Sequence, residues 1–174
     1  VNIPPSTTLR YTTDGTAPTL TNGKTSSTGL FTVKSTTCYR FRLFRNGALP
    51  SPVVTRTYIY KDKTYPFPII SVVTDDRNLN STEYGVFKEG PNGRSGRGSE
   101  NDCNWNMSWD RPVSFEYITT DNECVISQEC DLSMCGGWSR SWSPHSFKLK
   151  ASKTYDFQNF FAAQLFDKKP YIKS

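Results

Sequence analysis

The sequence holds one histidine, two methionines and five cysteines, and none of the cysteines forms a CxxC or CxxH pair. Zinc sites of the Cys/His type announce themselves by such pairs, so no metal site is expected. No apolar run approaches the ~18 residues that a membrane-crossing helix requires, and no transmembrane segment is expected. Blocks of five or six like charges are also missing, which argues against a nucleic-acid partner. The formal net charge of +5 is a mild bias, compatible with an anionic partner without demanding one. The chain opens at Val1 with neither a methionine nor the charged and apolar stretches of a signal peptide, and it reads as a segment of something longer.

What the sequence does have is aromatic. Phe, Trp and Tyr make up 14% of the chain against a hydrophobic total of 35%, so a core is built from few, large side chains. A length of 174 residues suits one large domain or two small ones. Residues 1–60 read as short strands at Thr8–Thr12, Thr32–Val33, Thr37–Phe44 and Val53–Tyr60, with turns at Asp14-Gly15 and Asn46-Gly47. Along Thr37–Phe44, period-two alternation puts Tyr39, Phe41 and Leu43 on one face and Cys38, Arg40 and Arg42 on the other. The arginine face is expected to be solvated. Strands at this spacing without helical periodicity predict a small β-sandwich.

The string YTTDGTAPT from Tyr11 to Thr19, with Thr36-Thr37, Arg45-Asn46-Gly47 and Pro50-Ser51-Pro52-Val53 running on to Tyr58, resembles the chitobiase/β-hexosaminidase C-terminal-type domain. That family is a fibronectin- or immunoglobulin-like β-sandwich of exported bacterial proteins. The resemblance covers residues 1–60 and implies an accessory module with no catalytic residue of its own. Residues 61–66 read as a linker ahead of Pro66 and Pro68.

Residues 67–174 read as a second β-rich (α+β) partial domain. Ile69–Thr74 is a continuous apolar run, expected to be a strand buried on both faces. Asp75–Thr82 reads as a loop or short helical turn, and Tyr84–Phe87 as a strand. Lys88–Asn104 is rich in Gly, Asn, Ser and Arg and is expected to be a mobile surface loop. Its GPNGRSGRG string meets neither condition of a phosphate loop: no Gly-Lys-Ser/Thr ending and no strand-to-helix setting. Arg94 and Arg97 there could meet a phosphate, with nothing to fix them. Val113–Ile118 and Ser146–Ala151 are strands bracketing a loop that opens at Gly136-Gly137 and carries Trp138, Arg140, Trp142 and His145.

The motifs FPIISVVTD (67–75), Asn78-Leu79, YGVF (84–87), WDRPVSFEY (109–117), GGWSR (136–140), SFKLKA (146–151) and KPYI (169–172) resemble, in that order, the N-terminal part of the CotH family of spore-coat-protein-H-like atypical kinases. The resemblance implies a parent that phosphorylates proteins with ATP and a divalent metal. The family's acidic catalytic residues lie further along than Ser174, so this chain is expected to be inactive alone, with no cofactor of its own. By the same resemblance Lys148 is the candidate phosphate-pairing cation, with Arg140 as helper. Phe147 and Leu149 would then pack inward, Lys148 and Lys150 sharing the other face. Taken alone, alternate lysines on a strand are a solvated face.

His145 has neither nucleophile nor orienting partner in the sequence and reads as a plain loop histidine. Trp138 and Trp142 are alternative ligand contacts, for a surface glycan or a partner protein. Large indoles more often cover a small core, and Trp105 and Trp109 share that reading. Phe157–Phe166 reads as packing. Cys103, Cys124, Cys130 and Cys135 cluster in the second half and suggest disulfides, hence an extracellular or cell-surface protein. If residues 130–135 are extended, Cys130 and Cys135 lie roughly 16–17 Å apart and cannot bond each other; Cys38 is the expected spare thiol.

Overall fold

A computed structural model describes residues 1–60, 64–156 and 158–165. Their regular elements are β1 (Thr8–Thr12), β2 (Lys24–Ser26), β3 (Thr37–Phe44), β4 (Val54–Tyr58), β5 (Ile69–Val73), α1 (Arg77–Asn80), β6 (Glu89–Gly96), β7 (Ser99–Cys103), β8 (Asp110–Ile118), β9 (Cys124–Met134), β10 (Phe147–Ala151) and α2 (Lys153–Asp156), with 3-10 turns at Asn104–Asn106 and Trp138–Ser141. The chain is mostly β, as its alternating runs predict. Three sheets result, in the orders β2-β1-β3-β4, β10-β9-β8-β5 and β6-β7. Two compact units divide the chain: Val1–Val73 with Glu116–Ser127, and Thr74–Phe115 with Gln128–Ser174.

In the first unit, β1 and β3 are antiparallel with Leu9 opposite Leu43 and Tyr11 opposite Phe41. This register stacks the apolar face into a core of Leu9, Tyr39 and Phe41, with Tyr11, Phe31, Val33 and Leu43 packed on it. Thr32–Val33 forms no strand. The segment instead delivers Phe31 to the core, edge-on to Tyr11 at 4.9 Å, and Lys24–Ser26 pairs with β1 in its place. Asp14 builds the turn after β1, its carboxylate accepting from the Thr16 amide (3.0 Å) and hydroxyl (2.6 Å).

The opposite face is not the solvated arginine surface expected. Arg40 is buried and donates to Gly15 O at 2.8 Å. Arg10 reaches Leu20 O and Gly23 O, both at 2.8 Å, and Arg42 Nε reaches Ser51 O at 2.7 Å. Connecting segments fold over this face, their carbonyls need donors once covered, and the long planar guanidinium supplies several at once.

The N–H of Thr57 on β4, a terminal strand of its sheet, is met by the Glu116 carboxylate at 2.8 Å. Thr57 Oγ1 also lies 2.7 Å from Ser71 Oγ on β5. β5 is not buried on both faces, since Ile70 is 62% exposed; its place at the end of the second sheet leaves one side open. Residues 61–63 of the expected linker lie outside the described residues.

In the second unit, Tyr84–Phe87 is a turn rather than a strand. Its backbone bonds go back to α1 and its end: Gly85 N to Ser81 O (2.7 Å), Val86 N to Asn78 O (3.0 Å) and Phe87 N to Leu79 O (2.9 Å). Lys88–Asn104 is likewise no loose loop but the β6-β7 hairpin, with an irregular register. The 3-10 turn Asn104-Trp105-Asn106 organises it. Asn104 Nδ2 donates to Thr82 O and Gly85 O, both at 2.9 Å. Asn106 Nδ2 donates to Arg94 O and Gly96 O at 2.8 and 2.9 Å, and Trp105 Nε1 to Ser99 Oγ at 3.0 Å. A tract too polar for an apolar core is thus held by buried amides. Phe161 is buried and packs edge-on against Phe115 at 5.0 Å; Phe157, Phe166 and the KPYI stretch lie outside the described residues.

The expected disulfides do not form: Cys38, Cys103, Cys124, Cys130 and Cys135 are all free thiols. Cys124 and Cys130 lie on one extended strand, six residues and so about 20 Å apart, far beyond disulfide reach. The Cys103 and Cys124 thiols donate instead to Asn101 O and Ile126 O.

Candidate ligand-binding surface

The loop after β9 is shaped from its ends inward. Gly136 has φ +91°, a left-handed conformation that suits glycine, and Cys135 N donates to Ser146 O at 3.1 Å, closing the loop's base. Arg140 pins the middle. Its Nε donates to Gly136 O at 2.6 Å and its Nη1 to Trp105 O at 3.1 Å. His145 braces the far side: its Nδ1 lies 2.8 Å from Arg140 O, which places a hydrogen on Nδ1. Its ring stacks on Phe87 at 5.3 Å and tilts on Trp105 at 5.0 Å. His145 is therefore a structural brace, more embedded than the sequence suggests.

On this pinned loop, Trp138 and Trp142 stand 72% and 67% exposed. They do not cover the core, as indoles more often do. Trp105 does, at 8%, while Trp109 stacks on the Arg111 guanidinium at 4.6 Å.

The tip of the β6-β7 hairpin lies against the same loop. Arg97 and Gly98 both have positive φ, +49° and +82°, as a two-residue type I′ connection requires. A Cβ on Gly98 would lie 3.1 Å from Trp138 Cε3 and 3.0 Å from Ser141 Oγ. Burial, followed by the neighbouring Arg97 charge, holds the Arg140 pKa below the usual guanidinium range. The tip thus brings Gly98 against Trp138 and Arg97 within reach of Arg140, on the loop that also exposes Trp142. That the hairpin tip carrying Arg97 reaches this loop is not visible in the sequence. The tip's own signal was Arg-Gly ahead of Ser99, a two-residue turn between segments too polar to look like strands.

Lys148 stands elsewhere on the chain's pattern. β10 ends its sheet, and the alternation is as expected: Phe147, Leu149 and Ala151 lie opposite Met134, Leu132 and Cys130, while Lys148 and Lys150 lie opposite Ser133 and Asp131. Phe147, expected inside, is 42% exposed, because the strand has a neighbour on one side only. Lys148 is exposed, and Lys150 approaches Asp110 at 3.9 Å. Among the described residues Arg140 gives its hydrogen bonds to Gly136 O and Trp105 O, and no hydrogen bond joins it to Lys148. Nor does either line the apolar hollow of about 440 Å³ beside Leu9, Phe41, Leu43 and Tyr58, or the polar one of about 340 Å³ beside Arg77, Ser81 and Tyr84. Phosphoryl transfer needs cations and metal-holding carboxylates converging on one phosphate. Among the described residues no group of three His, Cys, Asp or Glu side chains could hold a metal ion, and no helix is long and apolar enough to cross a membrane.

Residues 3–58 match the family described as Fn3 associated, in line with the fibronectin-like resemblance of the first strands. That match gives an accessory β-domain and does not extend to the CotH-like motifs. No curated protein and no solved structure matches the chain.

Proposed function

We propose that this chain is a non-catalytic accessory segment of an exported or cell-surface protein, and that it docks a surface glycan on Trp138 and Trp142. The observation that carries this reading is the exposure of two indoles on a loop that Arg140 and His145 hold in place. Leaving an indole in water forgoes about 2–3 kcal/mol of burial, and a fixed backbone presents the rings without an ordering cost on binding. Saturable quenching of tryptophan fluorescence by soluble oligosaccharides, neutral and charged, is the expected result. Trp138→Ala should weaken it at least about tenfold, roughly the worth of one stacked ring, with the far-UV circular dichroism unchanged. No quenching by any of them would overturn the reading.

A finer reading concerns the parent. By the motifs over residues 66–174, it would be a CotH-like protein kinase using ATP and a divalent metal, with this segment silent by itself. What supports it is the alternation along β10, which leaves Lys148 on the polar face. The chain mixed with ATP, magnesium and a protein acceptor should transfer no phosphate; transfer abolished by Lys148→Ala would displace the accessory reading.

A further inference from the structure

We infer that the ligand of this surface is an anionic polysaccharide, a uronate-bearing chain whose carboxylates meet Arg97 and Arg140 while its sugar rings lie on Trp138 and Trp142. The inference rests on the docking role proposed above and adds the charge of the ligand. Four observations lead there. Arg97 is exposed at the hairpin tip and makes no hydrogen bond or ion pair among the described residues. Arg140 uses Nε and Nη1 on backbone carbonyls, and its Nη2 makes no described hydrogen bond. Behind burial, the Arg97 charge acts on Arg140, and the Cys135 thiol, not a carboxylate, opposes it. The tip is seated against Trp138 by the absence of a side chain at Gly98.

Like charges gathered on one surface repel, and an anion lying between or beside them relieves that repulsion. Guanidinium groups pair with carboxylates through parallel N–H···O bonds, and indole faces accept the apolar faces of rings. An uncharged glycan would use the tryptophans and leave the arginine pair unrelieved. A nucleic-acid strand would use both features, but it draws on a basic groove tracking many phosphates, and the sequence carries no block of like charges.

The test is a fluorescence titration of the whole chain with polygalacturonate oligosaccharides, with uncharged malto-oligosaccharides and with oligo(dT), at low and high salt. Polygalacturonate should bind at least about tenfold more tightly than the uncharged chains, the scale of one charge-assisted contact. Arg97→Gln should remove most of that advantage, Arg97→Lys should restore part of it, and salt should weaken binding by screening. Circular dichroism of each variant guards against misfolding. If charged and uncharged sugars quench alike and Arg97→Gln changes nothing, the anionic inference fails while the tryptophan docking role stands. Tighter binding of oligo(dT) than of polygalacturonate would overturn the glycan class, and no quenching by any probe would remove both readings.

Discussion

Cys130 is fully buried on the apolar side of β9, opposite Ala151, and burial pushes its thiol pKa up to about 12. Cys103 is equally buried and also raised by burial; partial burial raises the Cys124 thiol too, but Cys124 is open to solvent and so reachable by a reagent. The expected outcome of alkylation at neutral pH is modification of Cys124 before Cys103 or Cys130, with five free thiols counted in denaturant without reductant; a lower count would show a disulfide. The pKa of Cys130 also has a stability consequence with a definite sign. Below the ordinary thiol value of about 8.5 both folded and unfolded chains keep the proton. Above it the unfolded chain loses the proton while the folded one retains it. Stability is therefore lost as pH rises toward 12, by about 1.4 kcal/mol per pH unit for this one group. Urea melts of the protein and of Cys130→Ala between pH 8 and 10 should show the slope reduced in the variant. The cysteine cluster was plain in the sequence, but which thiols are sealed away depends on strand faces and on what covers them.

The β6-β7 hairpin carries few apolar side chains, and its stability comes from the amides of Asn104 and Asn106. Asn104→Ala would strand the Thr82 and Gly85 carbonyls, and such unmet buried groups cost about 1–3 kcal/mol each. Gly90 is a second anchor: a Cβ there would overlap the Thr82 carbonyl oxygen, a backbone group that cannot swing aside. Gly90→Ala should cost about 2 kcal/mol or more. Both variants should lower the melting temperature and expose the amides of 89–103 to faster hydrogen exchange, whereas Gly47→Ala, strained by its φ of +72° but lying in the other compact unit between β3 and β4, should leave those amides unchanged. Composition made this tract look like an open loop because polarity was read as an inability to pack. The Asn-Trp-Asn sequence that follows it was the available clue, since buried side-chain amides can hold a ribbon that hydrophobic contacts cannot.

At the scale of the whole molecule, the first compact unit is discontinuous: Val1–Val73 is completed by Glu116–Ser127. Glu116 is buried and accepts the Thr57 amide, and Arg56 reaches Ser127 Oγ at 2.5 Å. A fragment of residues 1–60 lacks those partners. It is expected to unfold at lower urea than the same segment does in the full chain, and Glu116→Ala should lose protection of the Thr57 amide by about 1–3 kcal/mol, the cost of an unmet buried donor. Equal midpoints and unchanged exchange would show that the later segment contributes nothing. The bounds of β1 and β3, the apolar face of Tyr39, Phe41 and Leu43, and the alternation along β10 were legible in the sequence, because strand geometry fixes which side chains share a face. Sequence by itself also determined that the protein is mostly β and gave residues 1–60 a fibronectin-like resemblance, with which the Fn3-associated match over residues 3–58 is in line. Tertiary structure alone decided that Trp138 and Trp142 face water, that the tip carrying Arg97 reaches their loop, and that Glu116 closes an edge 59 residues away. Those outcomes depend on long-range contacts between segments whose local patterns carry no trace of one another.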